Sequence, residues 1–248
     1  MQLSSLPGAI VRTLVDFALP PRCAGCGEIV GGPHQFCFRC WSSLTFLGPP
    51  SCTRCGLPFA FEQEAAAECG ACLANPPSFD SLRAAVAYGP VARAAVLKLK
   101  YGMRPALADT LAHFMKRHAP LSGDGILFAP VPLHRWRIWT RGYNQSALMT
   151  RALAKATGGA MDVNLLLRVK ATPPLKGMSP AQRRRTVAGA FRLGPAGASC
   201  IAGRHVILVD DVYTTGATVD ACARLLRRAG AGRVDILCWA RVVREQED

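Results

Sequence analysis

Two adjacent carboxylates, Asp210 and Asp211, stand between a run of apolar residues and a turn of small polar residues. The apolar run predicts a buried strand, and the residues after the turn predict an amphipathic helix that ends at Gly230. In open α/β sheets, ligands bind where such a strand ends. Carboxylates accept hydrogen bonds from sugar hydroxyls, whereas a helix N-terminus offers N–H groups to a phosphate. The pattern therefore predicts a sugar-phosphate site, whose phosphate-binding residues are Thr214, Thr215, Gly216, Ala217 and Thr218.

Eight cysteines near the N-terminus form four Cys-x-x-Cys pairs, a spacing typical of two four-cysteine zinc sites. Disulfides fit less well, because the first twenty residues lack the long apolar run of a signal peptide and we expect the chain in the reducing cytoplasm. A redox or iron–sulfur role is the alternative. The simplest grouping is sequential, with the first four cysteines in one site and the last four in the other, and a crossed pairing is also open. Either way, two closed structural zinc sites are predicted, with the ligands Cys23, Cys26, Cys37, Cys40, Cys52, Cys55, Cys69 and Cys72.

The length and composition of the chain bound its organisation. With 248 residues, half of them hydrophobic, it can bury an α/β core and still carry a small module that depends on metal to fold. Pro76 and Pro77 mark the expected boundary. We predict an N-terminal helix at 1–19, a double zinc ribbon at 20–78 and an α/β domain at 79–248. No segment approaches the eighteen consecutive apolar residues of a membrane span, so none is expected.

The net charge of +14 is unevenly distributed along the sequence. Residues 1–80 carry four Lys and Arg against six Asp and Glu, whereas residues 81–248 carry 26 against 10. The most basic stretch, 133–192, has twelve Lys and Arg and only Asp162 to oppose them. Such a field attracts a polyanion, which is either a polyphosphorylated sugar or a nucleic acid. A solvated basic face is the plain alternative.

Strands and helices alternate through the predicted α/β domain. Apolar runs that include SLRAAVAYG, GILFAPVPL, GRHVILVDD and AGRVDILCWARVV predict strands, and VARAAVLKLKYG, LADTLAHFMKRH and SALMTRALAKATG predict the helices between them. This alternation predicts a doubly wound parallel sheet. The strand that ends at Pro130–Pro132 should finish level with Asp210, which brings a rigid corner beside the acidic pair.

The segment 206–218 resembles the 5-phosphoribosyl-1-pyrophosphate (PRPP) loop of type I phosphoribosyltransferases. Further motifs extend the resemblance to the ComF family, whose members combine a double zinc ribbon with a phosphoribosyltransferase domain and are associated with natural competence and single-stranded DNA uptake. The motifs, in the family's order, are the Cys-x-x-Cys pairs, KYG at 100–102, APVPL at 129–133, RGYNQ at 141–145 and the PRPP-like loop. They span almost the whole chain.

The resemblance implies roles for individual residues. Asp210 and Asp211 would hold the ribose as the catalytic acidic pair, and the turn that contains Val131 would face pyrophosphate. Arg141 and Lys170 are expected to contact the same pyrophosphate, with Mg²⁺ bound alongside PRPP. The segment 168–191, placed like the mobile hood of phosphoribosyltransferases, departs from the family because Leu175 replaces a Gln and Thr186 an Asn.

Two main hypotheses follow for function. The first is a PRPP-binding phosphoribosyltransferase-like enzyme, whose acceptor the sequence leaves open. The second is a non-catalytic regulatory or nucleic-acid-binding module that keeps the fold and binds single-stranded DNA along 133–192, as the charge and the altered hood favour. Against it, Trp136, Trp139 and Tyr143 are expected in a core or an interface rather than as a base-stacking platform.

A third hypothesis makes the zinc ribbon a docking surface for a protein partner, for which a protein of the competence machinery is the candidate. Its low charge and its aromatic residues permit that role, and the residues concerned are Phe36, Phe38, Trp41 and Phe59.

Overall fold

A five-stranded, wholly parallel sheet forms the centre of the molecule. The computed structural model describes residues 20–64, 66–120, 125–173, 177–195 and 197–243, so the helix predicted at 1–19 lies outside the described residues. The strands of the sheet follow the order β1-β7-β6-β2-β3. A separate two-stranded antiparallel sheet pairs β4 with β5. The strands are β1 (Ser81–Ala87), β2 (Ile126–Pro130), β3 (Ala160–Met161), β4 (Leu166–Arg168), β5 (Phe191–Leu193), β6 (His205–Tyr213) and β7 (Arg233–Arg241).

Helices pack on both faces of this sheet, as a doubly wound fold requires. Alternate residues of β6 enter opposite cores: Val206 and Leu208 join one buried cluster, and Ile207 and Val209 join the other. Within the described residues, no helix combines the length and the apolar character needed to cross a bilayer. The α-helices are α1 (Phe38–Ser42), α2 (Gly70–Ala74), α3 (Pro90–Tyr101), α4 (Leu107–Met115), α5 (Arg135–Arg141), α6 (Gln145–Thr157), α7 (Pro180–Val187), α8 (Gly197–Ile201) and α9 (Ala217–Arg228).

The strands and helices predicted between residues 81 and 241 are confirmed, while three helices, α5, α7 and α8, and three short strands, β3, β4 and β5, were not predicted. Helix α5 buries none of its side chains, so no apolar periodicity announces it. Helix α7 lies inside the hood, where Ser179 and Gln182 form a capping box. Arg183–Arg185 therefore occupy a helix. Of the two substituted hood positions, Thr186 lies in the same helix and Leu175 lies outside the described residues.

The cysteine-rich segment packs against the outer edge of β1. Backbone hydrogen bonds join Leu47 N–H to the Ala85 carbonyl at 3.1 Å and Ala87 N–H to the Thr45 carbonyl at 2.8 Å. A third runs from Leu82 N–H to the Arg54 carbonyl at 2.7 Å. Because these bonds occupy the free side of an edge strand, this segment closes that edge of the sheet.

The aromatic residues of the cysteine-rich segment divide between core and surface. Phe36 is buried and stacks on Trp239, while Phe59 packs on the second cysteine cluster. Phe38 and Trp41, on α1, are exposed. The surface available to a protein partner is therefore smaller than the four aromatics of the sequence suggest.

Candidate functional site

The acidic pair lies near the carboxyl end of the central strand β6, which continues to Tyr213. Asp211 is only 4% exposed and accepts hydrogen bonds from Lys100 Nζ at 2.9 Å and Gln145 Nε2 at 2.8 Å. Asp210 is partly buried and accepts from Ser146 Oγ at 3.2 Å and from the Asp211 N–H at 2.9 Å. The two neighbouring carboxylates thus have different surroundings, and Asp210 is the more accessible of them.

Two helix ends bring these partners together. Lys100 belongs to the last turn of α3, and Gln145 and Ser146 open α6. The Asn144 side chain caps α6 by accepting from Ser146 N–H, and it also donates to the Val131 carbonyl at 3.2 Å. The Val131 turn, which was expected to face pyrophosphate, therefore contacts the start of α6, and the first residues of α6 donate hydrogen bonds to the acidic pair.

The charges of the site perturb one another. Burial, followed by the charge of Asp211, raises the pKa of Asp210 to about 7. Burial by itself would lower the pKa of Lys100, but attraction to Asp211 outweighs it and the pKa is raised. Lys100 is therefore a cation near neutral pH, and Asp210 titrates in that range. A carboxyl group whose pKa is strongly raised by burial and by a neighbouring charge is more common at functional sites than elsewhere.

The turn after β6 has the geometry of an anion-binding site. Gly216 has φ of +76° and precedes α9, whose first N–H groups have no intrahelical partners. A Cβ at this position would lie 2.7 Å from Tyr213 Oη, so both the backbone and the available space require glycine. Arg183 Nη1 donates to Thr214 Oγ1 at 2.9 Å, which brings the hood helix to the rim of the turn.

The remaining predicted site residues lie at different depths. Arg141 donates to Gln145 Oε1 at 3.1 Å and to Tyr101 Oη at 3.2 Å, so one side chain separates it from Asp211. Val131 is buried and donates its N–H to the Val209 carbonyl at 2.9 Å. Lys170 is exposed after β4 and forms no hydrogen bond or ion pair with the described residues.

Three partners of the acidic pair were not among the predicted site residues: Lys100, Gln145 and Ser146. Two of them lie in the sequence motifs named above, since Lys100 opens KYG and Gln145 closes RGYNQ. Membership of these two motifs was therefore the sequence feature that could have identified Lys100 and Gln145 as site residues. What the sequence lacks is any local sign that residues 66 and 111 positions apart from Asp211 meet its carboxylate.

The eight cysteines gather as two groups of four in the sequential pairing. Within each group the sulfur atoms all lie within 4.8 Å of one another, and Cys26–Cys37 and Cys55–Cys69 are both separated by 3.6 Å. Tetrahedral zinc with Zn–S bonds of about 2.3 Å places its sulfurs about 3.8 Å apart, so both groups fit a closed structural zinc site. The second group is wholly buried, whereas Cys26 of the first is exposed.

The tryptophans of α5 contradict the expectation of a core position. Trp136 is 58% exposed and Trp139 79%, and their rings meet edge to face at 6.1 Å. Tyr143 does pack against the core, where its hydroxyl donates to the Leu99 carbonyl at 2.6 Å. The aromatic pair is therefore available to a ligand or partner beside the Val131 turn.

Comparison with known proteins gives matches to two domain models and to several relatives. A double zinc ribbon domain model matches residues 14–73, and a phosphoribosyl transferase domain model matches residues 170–248. The chain is similar to DNA utilization protein YhgH of Salmonella typhimurium, with 35% identity over 77% of this chain and 84% of the relative. It is also similar to competence protein F of Haemophilus influenzae, with 30% identity over 89% of this chain and 96% of the relative.

Among solved structures, the chain has a remote likeness to the allosteric regulatory enzyme of purine biosynthesis, at a TM-score of 0.36 and 20% identity, covering 53% of this chain and 25% of that one. The family follows from sequence instead. The two domain models match in the order of the two structural parts, and similarity to competence protein F extends over nearly its entire length. On these grounds the chain belongs to the ComF family.

Proposed function

We propose that this protein binds PRPP or a closely related sugar phosphate at the end of β6. The observation that carries the proposal is the succession, within one strand-turn-helix unit, of a carboxylate pair and a glycine-initiated helix N-terminus. Asp210, the more accessible acid, would accept hydrogen bonds from ribose hydroxyls. The turn 214–218 would receive the 5′-phosphate.

Cations near both the acidic pair and the turn support a ligand that carries pyrophosphate as well as the 5′-phosphate. Arg141 lies beside Gln145, and Arg183 contacts Thr214. In phosphoribosyl transfer, positive charge develops on the sugar and negative charge on the departing pyrophosphate, so basic groups and Mg²⁺ must meet the second. Here the acidic pair would orient the sugar, while Arg141 and Lys170 would neutralise the leaving group.

We place the protein in the reducing cytoplasm, since all eleven cysteines are free of disulfides.

Calorimetric titration of the zinc-loaded protein with PRPP and Mg²⁺ tests this function. Wild type should bind in the micromolar range, and a variant with Asp210→Asn and Asp211→Asn should lose binding. The matched control is Asp109→Asn, which removes an exposed carboxylate in the first turn of α4 and should bind like wild type. Absence of binding by the wild type would refute the proposal.

A second candidate function, single-stranded nucleic-acid binding, is favoured by α5. This helix exposes Trp136 and Trp139 between Arg135, Arg137 and Arg141, and it carries no acid. Exposed aromatic faces stack on bases, and guanidinium groups contact the phosphates between them. The helix follows the Val131 turn directly, so a strand bound there would run past the mouth of the sugar-phosphate site.

Fluorescence anisotropy with a labelled oligothymidylate tests this second function. Replacing both tryptophans, Trp136→Ala and Trp139→Ala, should weaken binding by about tenfold or more, the loss expected for one or two stacked bases. Phe38→Ala is the control, because it removes an equally exposed aromatic from the cysteine-rich segment. Equal affinity of all three proteins at moderate salt would exclude α5 as the platform.

A further inference from the structure

Arg241, the last residue of β7, is a buried cation without a carboxylate partner among the described residues. It is 7% exposed, and its Nε atom has no hydrogen-bond partner in the part of the chain that the structure describes. A guanidinium stays ionised at every physiological pH, and a buried charge requires a compensating charge nearby. Among the described residues, the anionic group that balances Arg241 is therefore not an Asp or Glu.

The second cysteine group supplies that charge. Arg241 Nη1 donates to the carbonyl of Cys55, one of four buried cysteines that fit a zinc site. Four thiolates around one Zn²⁺ carry a formal charge of about −2. A buried dianionic centre and a buried unpaired cation, in direct contact through Cys55, stabilise each other.

The same guanidinium also contacts Tyr213, the residue that precedes the proposed phosphate-binding turn. It lies over the ring of Tyr213 at 5.1 Å, and the two residues are register partners at the ends of β6 and β7. Tyr213 immediately precedes Thr214, and its ring occupies the space into which a side chain at position 216 would project. On another side, Phe79 packs edge-on against it at 6.4 Å. Tyr213 is thus wedged between Arg241 and the turn.

We propose that Arg241 is the countercharge of the second zinc centre and, through Tyr213, a positioning residue for the phosphate-binding turn. The metal centre and the turn are then coupled: the zinc thiolates hold Arg241, Arg241 holds Tyr213, and Tyr213 holds the backbone of Gly216. The inference rests on the proposed function only in taking 214–218 as the phosphate-binding turn.

The test compares Arg241→Met with Arg117→Met in the full-length, zinc-loaded protein. Arg117 is the matched control because it also anchors the cysteine-rich segment, by donating to the Leu47 carbonyl at 2.9 Å and stacking on Phe46 at 5.0 Å, but it does not contact Tyr213. Three quantities are measured: zinc retained under a competing chelator, hydrogen exchange of the 213–219 amides, and PRPP affinity.

The Arg241→Met protein should lose the zinc of the second cysteine group to the chelator about tenfold faster than wild type does, and exchange in 213–219 should also speed up about tenfold, with PRPP affinity reduced by a similar factor. Arg241→Lys should restore the zinc, because it restores the charge. Arg117→Met should leave zinc retention and exchange in this turn within about twofold of wild type. Identical behaviour of the Arg241→Met and Arg117→Met proteins would overturn the proposal.

Two substitutions of Tyr213 separate the coupling from general unfolding. Tyr213→Leu should keep both zinc ions and still speed exchange in the turn, whereas Tyr213→Phe, which retains the ring, should match wild type. Slow exchange in the Leu variant would refute the link through Tyr213. If wild type fails to bind PRPP, the proposed function fails, yet the exchange and zinc comparisons still decide the coupling.

Discussion

Asp210 and Asp211 are adjacent in sequence but electrostatically distinct. Asp211 is neutralised by Lys100 and held by Gln145, whereas Asp210 has only uncharged donors and a pKa raised to about 7. Lys100 therefore stabilises the charge of Asp211. In addition to burial, repulsion from that charge raises the pKa of Asp210. A ligand that donates hydroxyl hydrogens to Asp210 would favour its ionised form, so sugar binding should strengthen as the pH rises through 7.

The first prediction concerns stability against pH. Because the folded-state pKa of Asp210 is raised, the folded protein holds a proton that the unfolded chain has lost between about pH 4 and pH 7. The titration of Asp210 therefore lowers the free energy of unfolding as the pH rises from about 4 to about 7. Asp210→Asn should be more stable than wild type by about 2 kcal/mol at pH 8, after allowance for partial exposure, and by less than half of that at pH 5. Urea unfolding at the two pH values measures both differences, and a pH-independent difference would contradict the assignment.

The second prediction concerns Lys100. Removing its charge with Lys100→Met leaves the buried Asp211 carboxylate without a cation, which should cost about 3 kcal/mol of unfolding free energy. Adding Asp211→Asn to that variant should recover part of the loss, since the unpaired charge is then gone. Chemical denaturation of the two single variants and the double variant gives the coupling energy. Strict additivity would show that the ion pair contributes nothing.

At the scale of elements, the sequence predicts those helices and strands whose buried side chains recur with a regular period. Strand β6 and helix α9 follow from apolar patterns and a terminal glycine, and the ligand site between them stays a prediction from the same pattern. Helix α5 could not be found in this way, because it is held by His134 at its start and a left-handed Gly142 at its end rather than by a buried face. The partners of Asp211 depend on where α3 and α6 end in three dimensions, which no local pattern specifies.

The third prediction tests the turn between β6 and α9. Gly216 and Gly158 both have left-handed φ angles, of +76° and +74°, but of the two only position 216 would bring an added Cβ within 3 Å of another atom. Either Gly→Ala change should cost about 1 kcal/mol of stability from backbone strain. Only Gly216→Ala should also weaken PRPP binding, because it displaces Tyr213 or the turn. Thermal unfolding and calorimetry together distinguish the two, and equal affinities would argue against a phosphate site here.

At the scale of the molecule, two chemically similar cysteine groups differ in access. The first includes exposed Cys26 and half-buried Cys37, whereas all four members of the second are buried. The division into ribbon and transferase-like domain at residue 78 stays a prediction, but the two parts share an extensive contact along β1. The metal-binding groups are thus integrated into the fold to different depths.

The fourth prediction follows from that difference. A colorimetric chelator should remove zinc in two phases of equal amplitude, the fast one from the group that contains Cys26 and the slow one from the buried group. Cys26→Ser should abolish or accelerate only the fast phase. A single phase that releases both ions together would mean that access does not differ between the groups.

The hydrogen bonds along the outer side of β1 also bear on how the chain behaves before it is fully assembled. That side of the strand pairs with backbone of the cysteine-rich segment and, at the Ala85 carbonyl, also with the Arg117 side chain, while the opposite edge of the sheet is the two-residue strand Ala160–Met161. A chain short of zinc would leave a seven-residue apolar strand with unpaired N–H and C=O groups, the arrangement that templates pairing with another molecule. Zinc supply during synthesis would then set the yield of monodisperse protein. By pairing with the outer side of β1, the cysteine-rich segment would prevent that strand from pairing with a second molecule.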